Sequence, residues 1–147
     1  MNSIVIRKMR ADDIEAVAEI EKNCFSSPWT QEGLTSELTN PQAEFFVLLC
    51  DGTVAAYMGM HIVLDECYIA NVAVAPAFRR KGYGKRLVEN ALSTAEEKSC
   101  SFITLEVRVS NAPAIGLYSD CGFEKVGERK NFYSAPTENA LIMTRYF

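Results

Sequence analysis

The first residues of the chain show two regular patterns of apolar and polar positions. Residues 3–9 alternate in polarity, as the two faces of a strand do, and residues 13–23 repeat apolar side chains at the spacing of one helix face. Asp12 and Glu15 stand at the spacing of a capping box, in which two side chains satisfy free N–H groups at a helix start. These patterns predict a strand followed by a helix.

A turn, a second helix and three strands are predicted next. Pro28 disfavours a helical conformation at the residue before it, and Thr30 can cap a short helix that ends at Asn40-Pro41. The dipeptide Asp51-Gly52 favours a tight hairpin between two apolar runs, and a third run follows closely. The three runs predict strands at Phe45–Cys50, Thr53–Val63 and Cys67–Val74.

The second half of the chain alternates helices with strands. Apolar residues at helical spacing predict a helix over residues 84–98, and the alternation of Phe102–Arg108 predicts a strand. Ser110-Asn111 is a typical helix opening, and Gly122 stands where that helix is expected to end. The last two predicted strands are Glu124–Arg129 and Ala140–Arg145. This order predicts the α/β class, with helices on both faces of a mixed, mostly antiparallel sheet.

The composition is that of an ordinary globular domain. A chain of 147 residues can build one sizeable core, so we expect a single domain over residues 1–147. Hydrophobic residues make up 48% of the chain, yet the longest charge-free run, residues 52–64, is too short to span a membrane. The first residues lack the long apolar segment of a secretory signal, so the cytoplasm is the expected location.

Cysteine and histidine usage excludes several kinds of chemistry. The five cysteines lie at least 17 residues apart, which fits neither a CxxC zinc site nor a disulfide framework, and no metal site is expected. His61 is the one histidine, which rules out an HExxH zinc hydrolase. Because it lies in an apolar run with no nucleophile motif nearby, we expect a structural role for it.

Charge is distributed unevenly along the chain. Residues 10–51 carry nine acids against two bases, whereas residues 79–86 carry five bases and no acid. This asymmetry indicates two ligands of opposite charge, although solvated faces that differ in sign would produce the same counts. The net charge of −4 does not suit a nucleic-acid-binding protein, so no nucleic-acid partner is expected.

The basic run coincides with a glycine-rich turn that precedes a predicted helix. Gly82 and Gly84 allow backbone N–H groups to converge, and the helix start adds partial positive charge, so the turn predicts a phosphate-binding loop. Lys85 and Arg86 lie in the first helical turn, where cations oppose the helix dipole unless an anion is bound. A basic surface turn surrounded by water is the alternative.

Several motifs, in order along the chain, resemble one enzyme family. They are Asn71–Pro76, Arg79-x-x-Gly82-x-Gly84, Asn111–Tyr118 and Gly122-Phe123. Over nearly its whole length the chain resembles the GNAT superfamily of acetyl-CoA-dependent N-acetyltransferases. Within that superfamily, further segments are similar to the bacterial ribosomal-protein-alanine N-acetyltransferases of the RimI type: Pro28-Trp29, Val63–Glu66, Leu105–Arg108, Ser110-Asn111 and Arg129–Tyr133.

The resemblance implies where acetyl-CoA binds. It places the cofactor in a splay between the fourth and fifth strands of the sheet. The residues implied to hold it are Val72, Ala73 and Val74 along the pantetheine arm, Arg79, Arg80, Lys81, Gly82, Tyr83, Gly84 and Lys85 around the pyrophosphate, and Asn111. The position of Asn111 is explained equally well by a plain helix cap.

The resemblance also implies the catalytic groups and the acceptor groove. Glu106 matches the general base and Tyr118 the general acid. Each has a simpler alternative, because Glu106 could pair with Arg108 on the same strand face and Tyr118 could be a core residue. Trp29 and Tyr133 would border the acceptor groove, and Trp29 could equally pin a loop.

The implied reaction is acetyl transfer to the N-terminal alanine of a protein partner such as a small-subunit ribosomal protein. A single glutamate suits an α-amino group, because that group loses its proton far more readily than a lysine side chain. The acidic residues 10–51 would attract such a basic substrate. Two alternatives remain: an acetyltransferase for small amines or lysine side chains, and a non-catalytic acyl-CoA-binding module. The oligomeric state is not fixed by the sequence.

Overall fold

The computed structural model describes residues 2–147 and contains a seven-stranded sheet with strand order β1-β2-β3-β4-β5-β7-β6. The strands are β1 (Ile4–Lys8), β2 (Ala43–Cys50), β3 (Thr53–Val63), β4 (Glu66–Val74), β5 (Phe102–Arg108), β6 (Glu124–Tyr133) and β7 (Glu138–Tyr146). The helices are α1 (Ile14–Cys24), α2 (Gln31–Glu37), α3 (Tyr83–Glu97) and α4 (Ala112–Asp120). The order of strands and helices confirms the α/β prediction, and β6 and β7 extend beyond their predicted bounds.

One pair of neighbouring strands differs from all the others in the sheet. β4 and β5 run parallel, connected through α3, whereas every other neighbouring pair is antiparallel. Their ladder pairs Glu66–Tyr68 with Phe102–Thr104, and within residues 2–147 it extends no further. The two strands therefore separate after three residue pairs, which confirms the predicted splay between the fourth and fifth strands.

Helices cover the two faces of the sheet to different extents. On the α3 face, α3 and α4 pack over a core that includes residues from β2, β3, β4, β5 and β7. On the α1 face, α1 and α2 pack over a second core that draws on β2, β3 and β4. In β5, Ile103, Leu105 and Val107 are buried on the α3 face. Because side chains alternate between the two faces along a strand, Glu106 points to the α1 face.

The side chain that accepts a capping hydrogen bond before α1 belongs to a different residue from the one predicted. Asp13, not Asp12, accepts the backbone N–H of Arg10 at 2.8 Å and Nη1 of Arg7 at 2.7 Å. Burial alone would raise the pKa of Asp13, but the hydrogen bonds from Arg7 and Arg10 outweigh it and lower that pKa. The capping box of Asp12 and Glu15 is therefore wrong. At α2, Thr30 accepts the N–H of Gly33 at 3.0 Å, as predicted.

The acidic stretch of residues 10–51 does not form one exposed face. Three of its carboxylates are buried, those of Asp13, Glu21 and Glu44. Glu44 is paired with Lys8 and Lys98, each at 3.1 Å. These three buried carboxylates therefore do not contribute to the attraction of a basic substrate that was predicted for the whole stretch. Among residues 2–147, no helix combines the length and the apolar character needed to cross a membrane.

Candidate active site

The gap between β4 and β5 opens into a cleft of about 540 Å³. Its walls come from the loop between α1 and α2, the two parted strands, α4 with its N-cap, and the end of β6 with the turn that follows. Six residues predicted for the site line this cleft together: Trp29, Val72, Glu106, Asn111, Tyr118 and Tyr133. The fold thus gathers residues from five separate segments at one place.

Glu106 reaches the cleft from the middle of β5. Its side chain is 32% exposed, and its Oε1 lies 3.3 Å from Nε of Arg129 on β6. The alternative pairing with Arg108 is wrong, because Arg108 bonds instead to Glu138 at 3.2 Å and to two carbonyl oxygens of the turn between β6 and β7. Glu106 therefore keeps a partly hydrated carboxylate that a substrate amine can approach.

Tyr118 faces the same cleft from α4. It is 7% exposed, and its ring packs against Phe123 with centroids 5.7 Å apart. Burial raises its pKa, and the neighbouring Tyr133 and Cys121 add to the effect, so the phenol stays protonated at neutral pH. Tyr118 is both a core residue and a cleft residue, and it carries a proton that it can donate.

Asn111 stands two helical turns before Tyr118 and also lines the cleft. Its Oδ1 accepts the backbone N–H of Ala114 at 3.3 Å, which is the predicted helix cap. The capping role and a position at the cleft are therefore compatible, since one side chain satisfies both descriptions.

Aromatic side chains form two walls of the cleft. The ring of Trp29 packs on Phe45 with centroids 5.6 Å apart, so it pins its loop while lining the cleft. Opposite, the guanidinium carbon of Arg108 lies 4.5 Å from the ring centre of Tyr133. Burial raises the pKa of Tyr133, the charge of Glu106 raises it further, and Arg108 opposes both effects.

The start of α3 has the features of an anion site. Gly82, at its N-cap, adopts φ +78°, a left-handed conformation that favours glycine, and it offers no side chain to cap the first N–H groups. The first turn contains no acidic residue, and the surrounding bases are exposed: Arg80, Lys81, Lys85 and Arg86. Uncapped N–H groups beside free cations fit a phosphate group, so the structure is compatible with the predicted cradle.

Three residues predicted to hold the cofactor have side chains that point elsewhere. Tyr83 is buried and donates its hydroxyl to Sγ of Cys50 at 3.4 Å. Ala73 is buried in the core beneath α1. Arg79 donates Nε to the carbonyl oxygen of Val74 at 3.2 Å, which places its guanidinium beside β4. Only the backbones of Tyr83 and Ala73 remain available to a ligand.

Two polar residues near the cleft were missed by the sequence analysis. Glu21 is fully buried in α1, and Asn71 of β4 lines the cleft and donates to it. A signal for Glu21 was present, because it lies four residues after Val17 and three before Cys24, on the apolar face of the helix. An acid on such a face requires buried donors.

A parallel strand pair that parts beside a glycine-rich helix start, as in this chain, is found in the acetyltransferase family whose model the sequence matches. The chain belongs to the Acetyltransferase (GNAT) family, whose model matches residues 14–123. Enzymes of this family are N-acetyltransferases that take the acetyl group from acetyl-CoA, and the protein is therefore an enzyme of that kind.

Relatives with assigned activities match the chain over nearly its whole length. A Bacillus subtilis (strain 168) protein, provisionally assigned as a ribosomal protein bS18-alanine N-acetyltransferase, is 44% identical over 139 residues, or 94% of this chain and 92% of that protein. The Escherichia coli (strain K12) ribosomal protein bS18-alanine N-acetyltransferase is 34% identical over 140 residues, or 94% of each chain.

Solved structures share the fold. The crystal structure of the ribosomal-protein-S18-alanine N-acetyltransferase from Escherichia coli is 32% identical, with a TM-score of 0.90 over 98% of this chain and 94% of that chain. Arabidopsis thaliana NAA60 in complex with acetyl-CoA is 17% identical and covers 99% of both chains with a TM-score of 0.91. The second likeness concerns the fold alone.

Proposed function

We propose that the enzyme acetylates the α-amino group of an N-terminal alanine, and that its acceptor is the small-subunit ribosomal protein bS18. The observation that carries this proposal is the cleft, where Glu106, the one acid among the described lining residues, lies together with the aromatic side chains of Trp29 and Tyr133. Identities of 44% and 34% to enzymes assigned to that acceptor, over nearly the whole chain, support the choice of protein.

The protonation of the acceptor decides what one carboxylate can do. An α-amino group with a pKa of about 7.7 to 8.0 is already about one-tenth neutral at pH 7. A lysine side chain with a pKa of about 10.4 must be deprotonated at a further cost of roughly 3.5 kcal/mol. Glu106 alone is therefore better matched to an N-terminal amine than to lysine.

Residues of this chain account for the two proton transfers. Acetyl-CoA supplies an acetyl group activated as a thioester, and the residues placed to hold it are Val72–Val74 on the open edge of β4 and Gly82–Lys85 at the start of α3. Glu106 accepts a proton from the ammonium form of the acceptor, directly or through water, and the neutral amine then attacks the acyl carbon to form the C–N bond. Tyr118 donates a proton to the sulfur as the C–S bond breaks, and N–H groups of β4 stabilise charge on the acyl oxygen.

The acceptor proposal is tested with three amines and purified enzyme. We expect rapid turnover of a peptide that begins with alanine, and little with the same peptide carrying a blocked N-terminus and an internal lysine, or with a polyamine. Coenzyme A release measures each rate. Turnover of only the lysine peptide or the polyamine would refute the acceptor assignment. Thermal stabilisation by acetyl-CoA without any turnover would identify a binding module instead.

Removing two exposed cations from the start of α3 tests the phosphate cradle. The double substitution Arg80→Ala with Lys81→Ala is expected to raise the KM for acetyl-CoA about tenfold and leave the KM for the acceptor peptide nearly unchanged, because charge-assisted hydrogen bonds to phosphate are lost. Lys125→Ala, which removes an exposed lysine of β6, is the matched control. Equal loss of affinity for both substrates would argue against the cradle.

A further inference from the structure

The buried carboxylate of Glu21 takes no part in the reaction described above. It has no exposed surface, and it accepts the backbone N–H of Trp29 and the hydroxyl of Tyr57, each at 2.8 Å. Nδ2 of Asn71 completes the set, 3.2 Å from both carboxylate oxygens. One side chain of α1 thus joins the loop between α1 and α2, strand β3 and strand β4.

Charge makes this arrangement costly unless every donor is in place. Burial raises the pKa of Glu21, and the hydrogen bonds from Trp29, Tyr57 and Asn71 only partly offset that rise. Burying a carboxylate is unfavourable, and removing one partner of a buried charge leaves it uncompensated. The donors of Glu21 are therefore held firmly in their orientations.

The orientation of the Asn71 amide follows from these bonds. Its nitrogen lies against a carboxylate that accepts hydrogen bonds, so its Oδ1 points away from Glu21. Within residues 2–147 the side-chain hydrogen bonds of Asn71 all use its nitrogen, and its Oδ1 is not among the buried polar atoms that lack a partner. Since Asn71 lines the cleft, its Oδ1 is a free acceptor at the cleft surface.

Asn71 and Glu106 stand opposite one another across the gap. The last residues paired between β4 and β5 are Tyr68 and Thr104. Further along β4, a bulge in its pairing with β3 leaves Ala70 without a partner on β3. Two paired positions beyond Tyr68, Asn71 is therefore level with Glu106. The contact with Glu21 puts Asn71 on the α1 face, the same face as Glu106.

We propose that Oδ1 of Asn71 accepts a hydrogen bond from the terminal amino group of the acceptor, and that Glu21 is the positioning residue for both Asn71 and Trp29. This inference rests on the proposed function, because it assigns a second contact to the same amine. An amide oxygen does not take up a proton at neutral pH, so Asn71 can orient the amine without competing with Glu106 as the base. Trp29 lines the same cleft, and the hydrogen bond from its backbone N–H to Glu21 holds it in place.

Two single substitutions test the contact. Asn71→Ala removes the oxygen, and Glu21→Gln presents an NH₂ group to the NH₂ of Asn71, so the Asn71 amide must turn its nitrogen toward the cleft. Each is expected to raise the KM for an alanine-starting peptide about tenfold, with the KM for acetyl-CoA within twofold of wild type. Glu44→Gln is the matched control, because it alters a buried carboxylate outside the cleft. Its acceptor KM should not change.

A rescue separates positioning from a merely structural role. In the double variant Glu21→Gln with Asn71→Asp, the new amide can donate to one aspartate oxygen and the other oxygen faces the cleft. The acceptor KM is expected to return to within about threefold of wild type. Trp29 is the one tryptophan of the chain, so its fluorescence reports whether the loop has moved and measures peptide binding in the presence of coenzyme A, without turnover.

The outcomes distinguish this inference from the proposed function. An unchanged acceptor KM in both Asn71→Ala and Glu21→Gln would overturn the inference while wild-type turnover of the alanine peptide stands. If Glu21→Gln does not fold, Asn71→Ala decides alone. Wild-type enzyme that acts only on a lysine peptide overturns the proposed function, and the same variants assayed on that peptide then test the amine contact.

Discussion

Glu106→Gln is expected to lower kcat by about 10²- to 10³-fold, with the KM for acetyl-CoA unchanged, because glutamine has the shape of glutamate but cannot accept the proton of the amine. The carboxylate lies at the surface of the cleft with Arg129 as its ion-pair partner, so the substitution removes charge without opening a cavity. Steady-state rates at saturating concentrations of both substrates measure the effect.

The pH dependence identifies the step that is lost. As the pH rises from 7 to 9, solvent removes the proton from an α-amino group with a pKa of about 7.7 to 8.0. The kcat of Glu106→Gln should therefore move closer to the kcat of the wild type. Glu128→Gln, an exposed glutamate of β6 paired with Lys125, is the control and should retain full activity. A deficit below threefold at pH 7 would exclude Glu106 as the base.

Tyr118→Phe is expected to lower kcat by about 10²-fold without destabilising the protein. The ring would keep its packing against Phe123, and the substitution removes one oxygen atom at the wall of the cleft. Its raised pKa keeps the phenol protonated until negative charge collects on the departing sulfur. Rates and thermal midpoints of the same preparations separate chemistry from stability.

The response to pH should differ from that of Glu106→Gln. Raising the pH increases the fraction of neutral amine but supplies no proton for the sulfur. The loss of kcat in Tyr118→Phe, relative to the wild type, should therefore stay the same between pH 7 and 9. Tyr146→Phe, which alters an exposed tyrosine of β7, is the control. Unchanged kcat in Tyr118→Phe would assign the second proton to water.

Local pattern was enough to predict the order of strands and helices. The period-two alternation of β5 and the glycine before α3 are local features, and both are where the sequence predicts them. β6 was predicted too short, because it is an edge strand with mostly exposed residues and lacks an apolar face to mark its length. Asp13 was missed as the closing residue of α1 because its Arg7 partner comes from β1.

The positions of motifs along the chain were enough to predict which residues lie near the candidate site, but not where every side chain points. Glu106 and Tyr118 reach the cleft as the resemblance implies, but the same kind of inference gave no direction for the side chains of Arg79 and Tyr83. Glu21 could not be connected to the site from sequence, since its donors lie 8, 36 and 50 residues away. Contacts at such separations depend on tertiary packing.

The early parting of β4 and β5 bears on the kinetic order of the reaction. The proposed phosphate-binding turn lies at the start of α3, whereas Glu106 points to the α1 face, so we expect acetyl-CoA and the acceptor to approach from opposite faces of the sheet. Neither has to leave before the other arrives. Both can therefore occupy the protein together, and double-reciprocal plots at several fixed co-reactant levels should intersect rather than run parallel.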